Sequence, residues 1–202
     1  MKQHKWFLLL ILFISSIAVA IVLAHLISFF PYRLSGNGYT QGNFAVAITS
    51  PVQFPVNYQQ KFMHYATVDC PNSRIVRQMY VNHDSLDVVA TSEVVPSNTV
   101  IVMETYSANQ SDQGNLTPTQ LNNIFIREKR NGWNIDPHSG EWQSAWYSPS
   151  GSLVSDNQGS CIGCHTKVRE RDYVFTLPAL IAAAKTRQLQ YQPTEFGSSV
   201  CQ

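Results

Sequence analysis

Arg74-Ile75-Val76-Arg77-Gln78-Met79-Tyr80-Val81 changes character with a period of two. Successive Cβ atoms of an extended chain point to opposite faces, so Ile75, Arg77, Met79 and Val81 share one side of a strand. Further β runs are read at residues 99–106, 123–129 and 142–147. Strands in succession, with helical patterning outside them, predict an α+β domain: a mostly antiparallel β-sheet with flanking helices. On the N-terminal side, Tyr58, Phe62, Met63 and Tyr65 recur at helical spacing, and residues 56–68 are expected to form a short amphipathic helix. Asp69-Cys70-Pro71-Asn72 then reads as a turn, and residues 82–91 as a second short helix. Residues 107–122 are polar and read as a long loop, and residues 134–140, with Asp136-Pro137, as a hairpin connection. Leu180, Ile181, Ala183 and Ala184 mark a closing helix over residues 177–188.

After the last of these strands and a polar turn at 155–160 comes Cys161-Ile162-Gly163-Cys164-His165. Cys-x-x-Cys-His is the attachment signature of a c-type haem. Two thiols three apart on a helical turn lie on one face, where they can add to the two vinyl groups of a porphyrin. His165 follows at once and can reach the iron as axial ligand. A zinc site would need a second compact ligand pair, and the sequence has neither another Cys-x-x-Cys nor a His-x-x-x-His. A dithiol redox centre needs no following histidine. The expectation is one covalently bound haem c, held by Cys161 and Cys164 with His165 on the metal.

Haem of this kind is attached outside the bacterial cytoplasm, and the N-terminus bears on that. Residues 6–30 are apolar except for Ser15, Ser16, His25 and Ser28. At about 1.5 Å per residue a helix of this length crosses a bilayer core of about 30 Å. Lys2 and Lys5 precede it, which keeps the N-terminus cytoplasmic. The expected organisation is a cytoplasmic end at 1–5, an anchor or signal segment at 6–30, a tether at 31–55 and a haem domain at 56–202. This places the protein in the inner membrane as a single-pass chain with its haem domain in the periplasm. The alternative is a soluble periplasmic protein cleaved near Ala20, after Ala18-Val19-Ala20.

Formal net charge is +1 with 13 % charged residues, and no basic cluster exceeds a solvated face, which argues against nucleic acid as partner. With Cys161 and Cys164 used by haem, Cys70 and Cys201 remain as an even pair in an oxidising compartment. A disulfide between them is the first expectation, with free thiols or an intermolecular bridge as alternatives. Trp142 and Trp146 share a strand face opposite Tyr147 and read as core or as a dimer surface.

Two charges sit on apolar strand faces: Arg77 with Ile75, Met79 and Val81, and Glu128 with Ile124 and Ile126. A charge on the core side of a sheet is costly unless paired or functional. Three readings stand: each snorkels out at a strand end, the two pair with each other, or both face the haem. In the last, Arg77 meets a propionate or polarises a ligand, and Glu128 is a base above the iron.

The blocks Ser73-Arg74-Ile75-Val76-Arg77-Gln78-Met79-Tyr80-Val81-Asn82, Asn98-Thr99-Val100-Ile101-Val102-Met103-Glu104, Phe125-Ile126-Arg127-Glu128-Lys129 and Cys161 through Thr176 follow one another in order. This arrangement resembles the cytochrome P-460 family, whose close relative is cytochrome c′-β. The resemblance implies an antiparallel sheet with a haem packed beside it, His165 as proximal ligand, a vacant distal side and a homodimer. It also implies that Glu128 matches the distal carboxylate of the hydroxylamine oxidisers and Arg77 a family arginine. The family's lysine, bonded to the porphyrin edge, falls at Met103. A thioether lacks the nucleophilic amine, so that cross-link is expected to be absent. Three functions remain: oxidation of hydroxylamine or nitric oxide, binding of NO or CO without turnover, and electron transfer by a capped haem. Sixth-ligand candidates for the last are Met79, Met103, His64, His83 and His138. Met103 tilts the expectation toward a ligand-binding cytochrome that exchanges electrons with an unidentified redox partner.

Overall fold

A computed structural model describes residues 52–133 and 136–193 of the 202-residue chain. The segments expected at 1–5 and 6–30, most of the tether and Cys201 lie outside the described residues. Among those described, no helix is long and apolar enough to cross a membrane.

The elements run α1 (Tyr58–Lys61), β1 (Phe62–Cys70), β2 (Ile75–Asn82), α2 (His83–Ser92), β3 (Val100–Gln110), β4 (Leu116–Lys129), β5 (Trp142–Tyr147), β6 (Leu153–Ser155), α3 (Gln158–His165), α4 (Leu177–Thr186) and β7 (Gln190–Pro193). The strands form one seven-stranded sheet in the order β6-β5-β4-β3-β2-β1-β7. All neighbours are antiparallel except β7, which joins β1 in parallel. The architecture is the α+β fold expected.

Both faces of the sheet are covered. On one, Ala66, Val68, Met79, Val81, Ile101 and Trp142 pack with Leu86 and Val89 of α2 and Leu180, Ala183 and Ala184 of α4. On the other, Tyr80, Val102, Ile124, Ile126, Ala145 and Tyr147 pack with Tyr58 of α1 and with Val52. Val52 is fully buried, and Phe54 stacks edge-on to Tyr58 and Tyr147, so the core begins inside the stretch expected to be a tether.

Three local expectations need correction. The helix at 56–68 is one turn, and the chain is extended from Phe62. A register shift between His64 and Ala66 breaks the alternation, so Tyr65 and Ala66 are both buried and the spacing imitates a helix. The loop at 107–122 is the far end of a hairpin, in which Ala108, Asn109 and Gln110 oppose Pro118, Thr117 and Leu116. Apart from Ala108 and Leu116 its arms are mostly exposed and polar, so no apolar alternation marks them. Gly114 closes the turn at φ +85°, a conformation that glycine takes without steric cost. The turn at 155–160 is shared between the end of β6 and the first residues of α3.

Glu104 ties α1 to the sheet. Fully buried, its Oε1 accepts from Tyr58 Oη (2.5 Å) and Gln59 Nε2 (2.5 Å), and its Oε2 from Tyr106 Oη (2.9 Å). Burial first, and then the carboxylate, raises the Tyr58 phenol well above its ordinary value, so it remains a donor. Cys70, also buried, is disulfide-bonded, whereas Cys161 and Cys164 are free.

Glu104→Leu leaves the buried Tyr58 hydroxyl without its acceptor, whereas exposed Gln59 and half-buried Tyr106 can turn to water. One such group costs about 1–3 kcal/mol, so the urea unfolding midpoint should fall by the equivalent of about that much.

Candidate cofactor-attachment site

The thiols are presented by α3, and the chain before it decides where α3 lies. Asn157 is the N-cap, its side-chain oxygen accepting from Gly159 N at 3.1 Å. Gln158 docks the helix on β5: its Oε1 accepts from Ser144 N (2.8 Å) and its Nε2 donates to Ser144 O (2.6 Å). A side-chain amide thus satisfies both backbone groups of a strand residue. Cys161, Cys164 and His165 then line one cleft against the sheet, opposite Arg77, Met79, Met103 and Phe125. The register sets Met79, Met103 and Phe125 side by side across β2, β3 and β4.

Beyond α3 the backbone reverses. A 3-10 turn at Thr166–Arg171 is broken at Val168, and Asp172 and Tyr173 both take left-handed φ, 52° and 60°. Two such residues in succession are strained and need outside support. Lys129 Nζ holds the Asp172 carboxylate at 2.6 Å, and Trp142 Nε1 donates to Asp172 O at 3.0 Å. Gly140 leaves room for the Tyr173 ring, since a Cβ there would lie 2.1 Å from it.

The reversal brings Tyr173 O within 2.8 Å of His165 Nδ1. A carbonyl only accepts, so the tautomer with its proton on Nδ1 donates to Tyr173 O and leaves the Nε2 lone pair for a metal. Burial first, and then the charge of Arg127, pushes the His165 imidazole down to a pKa of about 3. The ring is therefore neutral near pH 7, the form that ligates metals. Phe175 packs against it edge-on at 5.1 Å.

Arg127 is the site residue that the sequence reading missed. Its Nη1 donates to Tyr173 O at 2.5 Å and lies 2.8 Å from His165 Nδ1. Its Nε donates to Ser144 Oγ at 3.3 Å, and its guanidinium carbon sits 4.7 Å over the Trp142 ring. Burial lowers its pKa to about 10, which leaves it a cation at neutral pH. The signal for it was present, since strand alternation sets Phe125, Arg127 and Lys129 opposite Ile124, Ile126 and Glu128.

Glu128 is the correction that matches this. It lies on the far face with Ile124 and Ile126, bonded to Arg130 Nε at 2.6 Å, and does not line the cleft. Of the two charges expected to face the haem, only Arg77 is there, with burial lowering its pKa. Met103 lines the cleft, as does Met79, while His64, His83 and His138 do not. Trp142 is core; Trp146 is exposed and stacks on Phe125 at 5.8 Å.

The cleft encloses about 190 Å3 and opens to solvent beyond that. Apolar walls, two free thiols three apart and a neutral imidazole with its Nε2 unengaged suit a porphyrin iron. A cleft of this make-up beside the sheet defines a candidate cofactor-binding domain. The family model for cytochrome P460 matches residues 55–176, and the chain belongs to that family of haem cytochromes. The matched span runs from just before α1 to Thr176 and takes in every residue of the cleft. No curated protein matches the chain.

Without cofactor, His165 makes the fold acid-sensitive. The folded ring resists protonation down to about pH 3, whereas the unfolded one accepts a proton below about 6.5. Its contribution is complete above pH 6.5 and is lost as pH falls toward 3, at up to about 1.4 kcal/mol per pH unit. Urea unfolding of the Cys161→Ala/Cys164→Ala protein across that range should show this slope, and adding His165→Gln should remove it.

Proposed function

We propose that this chain is a c-type cytochrome with one covalent haem, binding a small diatomic or nitrogenous ligand (NO, CO or hydroxylamine) and exchanging electrons. Cys161 and Cys164 would hold the macrocycle through thioethers, and His165 Nε2 would bind the iron. Bound haem supplies a redox metal with a coordination position for the ligand. The remaining work belongs to the protein. Tyr173 O keeps the proton on Nδ1 and so orients the imidazole. Met79, Ile101, Met103 and Phe125 give the cleft apolar walls that exclude water. Arg77 brings a cation to the same cleft, suited to a propionate or to a polar ligand.

The observation that carries this reading over an enzymatic one is the composition of the cleft. Among the described residues its lining has two arginines, two thioethers and no carboxylate. Hydroxylamine oxidation releases protons as well as electrons, and Glu128, on the far face, is not in position to accept them. Met103 stands where the porphyrin-linking lysine of the hydroxylamine oxidisers is expected, which supports an unmodified haem. A second reading has its own observation. Met79 and Met103 both reach the cleft, and either sulfur could cap the iron and make a six-coordinate electron carrier.

We place the haem domain in the periplasm, anchored in the inner membrane through residues 6–30 or released by cleavage near Ala20. The apolar N-terminal run and the disulfide-bonded Cys70 support export. A homodimer and a separate redox protein complete the proposal.

The test is expression with a haem-maturation system, acid–acetone extraction and pyridine haemochrome analysis, followed by spectra of the reduced protein. Expected are pigment that stays with the chain, an ordinary five-coordinate Soret band that shifts with NO or CO, and negligible hydroxylamine turnover. Pigment that washes out refutes the attachment. A far red-shifted band would mean a cross-link, and a low-spin six-coordinate spectrum would favour the capped carrier.

A further inference from the structure

We infer that Arg127 is a positioning residue that weakens electron donation from His165 to the iron and so raises the reduction potential. The inference rests on the haem reading above and deepens it. It starts from a conflict of donors at one oxygen. Arg127 Nη1 (2.5 Å) and His165 Nδ1 (2.8 Å) converge on Tyr173 O, and the two nitrogens are 2.8 Å apart. Without a metal, Nδ1 could accept from the guanidinium, with the imidazole proton on Nε2. Ligation through Nε2 removes that option, because the proton must then sit on Nδ1. Both groups become donors, and both can be served only because a carbonyl has two lone pairs.

Two consequences follow for the metal. Donation by a guanidinium draws electron density from Tyr173 O, so the carbonyl accepts less strongly from Nδ1–H. The imidazole then gains little of the anionic character that a strong acceptor at Nδ1 would give it, and ligand basicity is set by that partner. In addition, a fixed positive charge beside the ligand favours the ferrous over the ferric state. Arg127 cannot readily swing away, since Ser144 Oγ holds its Nε and the Trp142 ring lies against its face. The carboxylate of Asp172 is bonded to Lys129 and acts on Arg127 only as a nearby charge.

The experiment uses the haem-loaded wild-type protein with Arg127→Gln, Arg127→Met and Arg127→Lys, each checked for bound haem by pyridine haemochrome. Midpoint potential and the ferrous iron–histidine stretching frequency are then measured. Arg127→Met should show the lowest potential and the highest stretching frequency, with Arg127→Gln between it and the wild type. Arg127→Lys, which keeps a cation, should lie nearest the wild type. Neutral variants that hold haem but leave both quantities unchanged overturn the inference. Should neither neutral variant load, the wild-type frequency decides. A value below that of an imidazole bonded to an unshared carbonyl supports the role, and one at or above it overturns it. Absence of haem from the wild type would instead sink the reading on which this one rests.

Discussion

The contact between His165 Nδ1 and Tyr173 O is short in sequence and expensive in structure. To make it, the chain leaves α3, breaks its 3-10 turn at Val168 and passes two residues through left-handed backbone. That path is held from the sheet side by Lys129, Trp142 and Arg127, which come from β4 and β5. The orientation of the His165 imidazole therefore depends on the central strands being in register and on β5 carrying α3 through Gln158. A cofactor site that looks local in the motif is the product of the whole sheet.

The same sheet separates two environments. One face gives the cleft its thioethers, aromatic ring and cations. The other encloses a carboxylate, Glu104, that is satisfied by two phenols and an amide. Adjacent residues of β3, Met103 and Glu104, thus serve opposite faces of the sheet. One borders the cofactor cleft and the other pins the first helix. Strand alternation makes this division cheap, since no backbone distortion is required.

The error over Glu128 shows how alternation can mislead. Apolar residues mark the core side of a strand only when the other side meets water. Here helices cover one face, and Val52, Phe54 and α1 cover the other, so the second half of β4 is buried on one side and half-buried on the other. Ile124 and Ile126 identified a core face without saying which one. Arg77 escaped the ambiguity because its neighbours Met79 and Val81 happen to lie on the cleft side.

What could be read from residues in order was the Cys-x-x-Cys-His motif and the class of the fold. Cys161, Cys164 and His165 are close in the chain, so their geometry follows from one helical turn, and the period-two runs follow from steric alternation. The family blocks were readable for the same reason. Tertiary structure alone decided which face of the sheet meets the cleft, that Arg127 shares an acceptor with His165, and that Glu128 turns away. Those relations join residues far apart in the chain, and their distances depend on strand register and on what covers each face. A bulge at Tyr65 and a polar hairpin were hidden likewise, because strand pairing rather than apolar alternation gives them their form.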